Sequence, residues 1–368
     1  MTWNWRWSVV AGLVAVLCAA PAAVGALPAG HSDLSASRLL AMVQGSGSAA
    51  YSGYAEADGG LSLPVTDQFS SVANILGGQT QLRVWWRGSA DWRVDTIATT
   101  GENDERLNGN TLQSWDYESN SVTETTAAPA KVRLPDPRDV LPSSLAQRLL
   151  SEATPAEVSR LPSRRVAGRD APGFALRPPQ AGSTINEVDV WVDPADGVAL
   201  RVDVRGAGSN VISTQFLNFS TAVPDSSTVN FVAPPGLQVR TSQNPDLVQL
   251  INGLGTGHPP ASLAGIARNP ALPEPGSIGV YGGGVTEFAV VPLFGRTARS
   301  LRSQLAKTAG VSTTSTGQGV AVGALSLVLT GPSKDGLPGR GDGGWLLVGT
   351  VTVAKLVTAA NALLGGGS

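Results

Sequence analysis

Few side chains in this chain could act together as acid, base, nucleophile or metal ligand. It holds two histidines, His31 and His258, and one cysteine, Cys18. His258 sits in a Pro- and Gly-rich stretch, and neither histidine has a carboxylate or second ligand at metal-binding spacing. A Ser-His-Asp hydrolase needs its base held rigidly beside the nucleophile, and no Gly-x-Ser-x-Gly elbow is present. Gly282-Gly-Gly284 lacks the G-x-G-x-x-G spacing and the following Lys-Ser or Lys-Thr of a phosphate loop, so it reads as a hairpin turn. The acidic pairs Asp193/Asp196 and Asp104/Glu105 are expected in turns. A glycosidase would need two carboxylates facing one cleft, which linear spacing does not report. The sequence therefore names no reaction, no metal and no cofactor.

The chemistry it does advertise is apolar. Thr80-Gln-Leu-Arg-Val-Trp-Trp-Arg-Gly-Ser-Ala-Asp-Trp-Arg-Val-Asp95 reads as two strands of period two, folded back at Gly88 to Asp91. Leu82, Val84 and Trp86 share one face; Arg83, Trp85 and Arg87 share the other. Apolar bulk on both faces is unusual for a half-wet sheet and calls for a core, a lid helix or a lipid as partner.

Composition bounds the setting. Arg6 and the amino terminus precede an apolar run from Ser8 to Ala20, and Val24-Gly25-Ala26 supplies small residues where a signal peptidase cuts. Residues 1–26 are thus expected to be a signal peptide, with Ala20-Pro-Ala22 a second possible site. An uncleaved anchor is the alternative, although the run is short against the roughly 20 residues of a span. Leu17 before Cys18 is too bulky for lipidation. Cleavage would leave a mature chain without cysteine, hence without disulfides or thiolate chemistry. A net charge of −2 with no basic cluster argues against nucleic acid as a partner. High Ala, Gly and Val with few Lys point to a GC-rich bacterial genome.

The elements follow from periodicity. A helix is expected over Ser35 to Gln44, with Leu39, Leu40 and Val43 as its apolar stripe. Strands are expected at Tyr51 to Ala57, in the Trp hairpin, at Leu112 to Tyr117 and at Val122 to Thr125. Pro135 to Pro142 reads as a linker. Ser144-Leu-Ala-Gln147 and Thr154-Pro-Ala-Glu157 match capping boxes; the first should open a helix carrying Leu145, Leu149 and Leu150. Arg164 to Leu176 reads as two strands. Glu187 to Val192 and Val198 to Val204 form an antiparallel pair, with Val188, Val190, Val192, Val198, Leu200, Val202 and Val204 inward. Val211 to Phe219 adds a strand, and Val223 to Pro235 is expected to close the sheet. Residues 241–274 read as a linker with one apolar turn at Leu247 to Leu254. Beyond it come strands at Ser277 to Tyr281, Glu287 to Pro292, Gly319 to Leu329 and Trp345 to Val351. Helices are expected at Thr297 to Ala309 and Val353 to Leu364, the latter with Leu356, Val357, Ala360, Leu363 and Leu364 on one side. Lys334 to Gly344 reads as a loop.

Such a meander makes a mainly β fold: a curved antiparallel half-barrel sheet over residues 33–240 with lid helices on its concave side, plus a smaller α+β C-terminal domain over 275–364. A curved sheet's concave face is too wide for its own side chains to fill, so helices or a ligand must occupy it. Burying an acyl chain yields about 0.8 kcal/mol per methylene, so an apolar groove binds lipid without any polar motif.

Several stretches also carry a family resemblance: Tyr51-Ser-Gly-Tyr-Ala-Glu, Val-Trp-Trp-Arg and Trp-Arg-Val-Asp of the hairpin, Leu-Gln-Ser-Trp-Asp-Tyr, Arg165-Val-Ala-Gly-Arg-Asp170, Val188-Asp-Val-Trp-Val-Asp-Pro-Ala-Asp-Gly197 and Gln215-Phe-Leu-Asn-Phe219. In this order, behind an export signal, they resemble the periplasmic lipoprotein-carrier (LolA-like) superfamily. In particular they resemble the two-domain sigma-E regulatory branch (RseB/MucB-like) in actinobacterial form. The resemblance implies an open half-barrel with a helical lid over a hydrophobic cavity. It implies an exported, non-enzymatic protein whose partner is a lipid or lipoprotein acyl chain or, in the regulatory branch, a membrane anti-sigma factor. By position it assigns Leu82, Val84, Trp86, Trp92, Val94, Trp115, Val190, Val192, Leu200 and Val202 to the groove strands, with either strand face open as the concave one. It assigns Leu145, Leu149 and Leu150 to the lid, and offers Arg83 and Arg93 for the carrier family's functional arginine. A large C-terminal domain departs from a plain carrier.

Overall fold

In a computed structural model of the chain, the alternating segments join into one 12-stranded sheet. The structure describes residue 10 and residues 29–60, 77–97, 101–126, 136–206, 210–230, 237–242, 259–270, 277–308, 310–332 and 343–365. Its first half runs through β1 (Tyr51–Gly59), β2 (Gln79–Gly88), β3 (Asp91–Ile97), β4 (Glu102–Asn108), β5 (Thr111–Asp116) and β6 (Ser121–Thr126). The second half runs through β7 (Val158–Val166), β8 (Arg169–Leu176), β9 (Ile185–Val192), β10 (Ala199–Gly206), β11 (Asn210–Ser220) and β12 (Gln238–Ser242). The spatial order is β12-β6-β5-β4-β3-β2-β1-β11-β10-β9-β8-β7. Each half is thus an antiparallel meander, and β1 and β11 join the two. Only the edge strand β12 runs parallel to its neighbour, β6.

Register fixes which side chains share a face, because strand side chains alternate. Ala55 pairs with Leu82 and Phe216, Val84 with Val94, Trp86 with Trp92, and Val202 with Val190 and Thr214. These residues form one continuous apolar inner face. The outer face carries Arg83, Trp85, Arg93, Asp95, Asp104, Arg106 and Trp115, which likewise align across strands.

Two short helices cover the inner face. Helix α1 (Ala36–Gly45) is capped by the Ser35 side chain, which accepts from the Arg38 N–H. It buries Leu39, Leu40 and Val43, the stripe its spacing predicts. Helix α2 (Pro142–Leu150) has Pro at its start and no side-chain cap. The Ser144-x-x-Gln147 box therefore does not open it: the chain turns helical two residues earlier, where Pro142 presets φ. The second box is real but local. Thr154 and Glu157 cap each other's backbone around a single 3-10 turn, Pro155–Glu157. Pro135 to Pro142 likewise contains a 3-10 turn, Pro137–Val140, with a reciprocal Asp136/Asp139 cap.

Gly197 lies in the left-handed region (φ +77), and a Cβ there would sit 2.5 Å from the Met42 carbonyl. Glycine thus lets the β9–β10 turn tuck under α1.

Other segments depart from their expected form. β4 interrupts a stretch read as a turn: the acids in Glu-Asn-Asp-Glu-Arg-Leu-Asn hide its period, and tertiary pairing overrides propensity. Of the stretch Val223 to Pro235, the described residues 223–230 hold the short helix α3 (Ser226–Val229) rather than a strand, and β12 takes the edge. The linker read contains a two-residue hairpin, β13 (Ser262–Leu263) with β14 (Ile266–Ala267).

The second sheet has six strands in the order β15-β16-β20-β19-β18-β17. They are β15 (Gly279–Gly283), β16 (Thr286–Leu293), β17 (Ser312–Thr313), β18 (Gly317–Val322), β19 (Leu325–Thr330) and β20 (Gly344–Gly349). The apolar run Gly319 to Leu329, read as one strand, is a hairpin turning at Gly323. Helices α4 (Gly295–Leu305) and α5 (Val353–Gly365) pack on this sheet. On α5, Leu356, Ala359 and Ala360 are buried, whereas Leu364 is 42% exposed and lies off the packed side. No helix among the described residues is long and apolar enough to cross a membrane. The proposed signal peptide, apart from Val10, and Leu247 to Leu254 lie outside the described residues, as does most of the Lys334 to Gly344 loop.

Candidate functional site

The candidate trough would be built from the inner face. Leu82, Val84, Trp92, Val94, Val190, Val192, Leu200 and Val202 are each at most 1% exposed. Trp86 is half-buried and stacks parallel between Tyr51 and Trp92, with ring centroids 6.0 and 5.8 Å away. These nine groove residues belong to one apolar core with Tyr51, Phe174, Phe216 and Phe219. The tenth, Trp115, does not join them. It lies on the outer face opposite Asp104, stacked on Tyr117 at 4.2 Å. Period two explains the split: β5 is one strand whose Leu112 faces inward, so Trp115, three residues on, must face outward.

The residues expected to form the lid lie over this inner face. Leu150 of α2 is fully buried; Leu145 and Leu149 are partly buried against the same core, beside Leu141 and Ala146. Helix α2 lies across β10 and β11 and against α1. Its polar ties are few. The Tyr51 and Ser143 hydroxyls bond at 2.5 Å, and Thr214 Oγ1 donates to the Val140 carbonyl at 2.7 Å. Gln44 Nε2 donates to the carbonyls of Leu150 and Ala153, and Gln147 Nε2 to Ser46 Oγ. The Arg138 guanidinium sits 4.8 Å from the Trp92 ring. Burial drives the Tyr51 hydroxyl well above its ordinary pKa, so it stays protonated and able to donate. Tyr51, Thr214 and Phe216 escaped the sequence reading as site residues. Tyr51 and Phe216 stood in recognised strands, but their partners came only with the cross-strand register.

The outer face is polar and ordered. Arg93 donates to both oxygens of Asp95 at 2.6 and 2.8 Å and to Asp104 at 2.9 Å, and Arg106 donates to Asp104 at 2.7 Å. Trp85 lies 4.9 Å below Arg93. Asp95 and Asp104 face each other across β3 and β4, with Glu102 close by. Burial, then the adjacent Asp95 charge, pushes the Asp104 carboxyl up to about 6. Oxygens of the three acids lie within 4.8 Å of one another, but Arg93 and Arg106 already neutralise two of the charges. Asp104 is thus a buried strand residue rather than a turn acid, whereas Asp193 and Asp196 do shape a turn, accepting from the Ala195 and Val198 N–H groups. Both Arg83 and Arg93 belong to this outer face, away from the trough.

The lid also touches the second sheet. Arg148 of α2 reaches Glu287 of β16 at 3.8 Å, and burial pushes that carboxyl above its usual range. A Cβ on Gly283 would meet the Glu152 carboxylate, so the β15–β16 turn seats directly against the end of the lid. Between them lies a cleft of about 290 Å³ lined by Leu149, Glu152, Leu176, Pro178, Gly283 and Thr286. Backbone bonds fasten the joint: Thr184 N–H to the Thr350 carbonyl at 3.0 Å, and Thr352 N–H to the Gly182 carbonyl at 2.8 Å.

No family model matches the chain, and no curated protein matches it. Solved structures do resemble it. The MucA/MucB complex of Pseudomonas aeruginosa aligns with a TM-score of 0.49 at 17% identity, over 88% of this chain and 96% of that one. A crystal structure of MucB alone aligns at 0.43 and 16% identity over the same shares of the two chains. The LolA-superfamily protein NE2245 of Nitrosomonas europaea aligns at 0.26 and 10%, over 54% of this chain and 98% of that one. These neighbours belong to the groups that the sequence motifs resemble.

Proposed function

We propose that this chain is an exported, non-catalytic envelope protein that takes up the acyl chain of a lipid or lipoprotein in the trough beneath α1 and α2, as a carrier or a lipid sensor. One observation carries the reading: an apolar inner face, continuous from β3 to β8, is covered by only two helices of 10 and 9 residues. Their apolar side chains stand where an acyl chain would lie. Swinging α2 outward breaks few hydrogen bonds and exposes Leu150, Ala146 and Leu141. A 16-carbon chain in their place would recover about 12 kcal/mol gross at 0.8 kcal/mol per methylene, enough to offset the exposed helix face. Leu82, Val84, Trp86, Trp92, Val94, Val190, Val192, Leu200 and Val202 would line the loaded trough, and Leu145, Leu149 and Leu150 would act as the lid. Trp115 has no part in this reading.

A second reading makes the chain an interaction protein in envelope stress signalling, holding the exported domain of an anti-sigma factor. The cleft at the joint favours it, because a bound segment there would touch both sheets and the end of the lid at once. Native mass spectrometry of residues 27–368, purified from the native host without detergent, tests the first reading. A discrete added mass that extracts into organic solvent supports it. A clean apo mass that persists after incubation with lipid moves the weight to the protein partner.

A further inference from the structure

The second sheet is fastened unequally to the two parts of the half-barrel that it meets. Its ties to the large sheet are mostly main chain. Ser183 and Val351 form an antiparallel bridge, Thr184 N–H donates to the Thr350 carbonyl at 3.0 Å, and Thr352 N–H donates to the Gly182 carbonyl at 2.8 Å. Thr184 Oγ1 adds a bond to the Ala324 carbonyl. These contacts root the second sheet at the start of β9, so its β15–β16 turn stands in a fixed place.

Toward α2 the bonding is weaker. Among the described residues the polar contact is one ion pair, Arg148 to Glu287 at 3.8 Å, between side chains that are 59% and 37% exposed. A pair so long and so open to water adds little stability. The rest of the contact is close fit. Gly282 (φ +81) and Gly284 (φ +59) need glycine for their backbone, whereas Gly283 lies outside the left-handed region. A Cβ on Gly283 would stand 2.0 Å from Glu152 Oε2, and one on Gly284 would stand 3.1 Å from the Leu149 carbonyl oxygen. The middle glycine of the run is therefore explained by the approach of Glu152, just past the end of α2, and not by the turn's own geometry.

Contact at this end also withholds water from polar groups. Thr286 is 3% exposed and lines the cleft beside the turn, and its hydroxyl has no hydrogen-bond partner among the described residues. The Glu287 carboxyl is raised by the same burial. Parting α2 from the turn would return both to water. At its other end α2 is tied to β1 by the Ser143–Tyr51 bond. The helix is thus bonded at its start, and at its end it rests on a contact tight in shape and weak in bonding.

We propose that the second sheet latches the lid: α2 leaves the inner face only after its C-terminal end has parted from the Gly282-Gly-Gly284 turn and Glu287, so an event that opens the joint also opens the lid. The inference rests on the reading of α2 as a lid, and it is independent of what the trough holds.

The test bridges the joint chemically. The mature chain, residues 27–368, contains no cysteine, so only introduced thiols react. Glu152→Cys/Gly283→Cys removes the carboxylate that a side chain at Gly283 would meet, and a short bismaleimide then links the two positions. Hydrogen exchange is compared in the bridged and unbridged forms of this one variant, without lipid. Exchange across Pro142–Leu150 should slow by about tenfold on bridging, while exchange in β2 and β3, away from the joint, stays the same. Failure of the pair to bridge in the folded chain would overturn the proposal. So would a bridge that leaves α2 exchange unchanged, or one that slows exchange equally in α2, β2 and β3. Lipid uptake by the two forms, read by native mass spectrometry, is scored separately. Slowed α2 exchange without any lipid uptake upholds the latch and refutes the acyl-chain reading alone.

Discussion

Removal of one hydroxyl should loosen the lid. Tyr51 is 2% exposed and Ser143 3%, and their hydroxyls bond to each other at 2.5 Å between β1 and α2. Tyr51→Phe keeps the ring, and so its packing against Trp86, Phe216 and Phe219. What it removes is the bond, leaving the Ser143 hydroxyl buried. An ordinary hydrogen bond is worth about 1 kcal/mol net, and an orphaned buried hydroxyl costs about 1–3 kcal/mol. The single variant should therefore lose about 1–3 kcal/mol of stability. Tyr51→Phe/Ser143→Ala leaves no orphan, so it should recover part of that loss, with a coupling energy of about 1 kcal/mol in the cycle. Urea unfolding followed by tryptophan fluorescence reads the global term, since Trp86 stacks on Tyr51. Hydrogen exchange across Pro142–Leu150 reads the local one, and protection there should fall about tenfold. Strictly additive single-variant losses, with unchanged exchange in α2, would refute the idea that this contact latches the lid.

Other outcomes follow from the same geometry. Leu40→Ala, at 1% exposure under the lid, should cost about 2–5 kcal/mol in chemical denaturation. A Cβ on Gly173 would approach Trp191 Nε1 to 2.6 Å, so Gly173→Ala should lose about 1–3 kcal/mol through overpacking, seen as a lowered melting temperature. If the proposed acyl-chain uptake is observed, Trp115→Ala should leave it unchanged, because that ring lies on the outer face; a loss of uptake would place the groove on the other face of the sheet. The Asp104 carboxyl titrates near 6 when folded and about 4 when unfolded, so its protonated form favours the native state. Its stabilising contribution is complete below about pH 4 and is lost as pH rises through about 6. Wild type should accordingly gain stability relative to Asp104→Asn as pH falls from 7 to 4, measured by paired urea titrations.

Much of the large sheet was legible because period two, glycine turns and proline breaks are local signals. The Trp hairpin, the Val188 to Val204 pair and the Leu39/Leu40/Val43 stripe all announce themselves within a dozen residues. β4 did not, because Asp104 buries its charge against Arg93 of β3 as well as Arg106 of its own strand, and nothing in Glu102 to Asn108 predicts the contact with Arg93. The hairpin within Gly319 to Leu329 was hidden for the opposite reason: an unbroken apolar run carries no period, and only Gly323 (φ +59) marks the turn. For the candidate site, alternation separated the two faces of each strand but left open which one looked inward. Alternation alone therefore places Trp115 with Trp86 and Trp92, and only the register separates them.

The residues by themselves determined a mainly β chain with few helices and apolar strand faces, because composition and spacing act within a few residues of chain. Tertiary structure alone decided that Tyr51 meets Ser143 92 positions away, that Trp115 turns outward, and that the lid abuts Glu287 and Gly283. Those contacts depend on strand order and on the packing of one sheet against another. Both emerge from the summed burial of many side chains, to which no single segment holds the key.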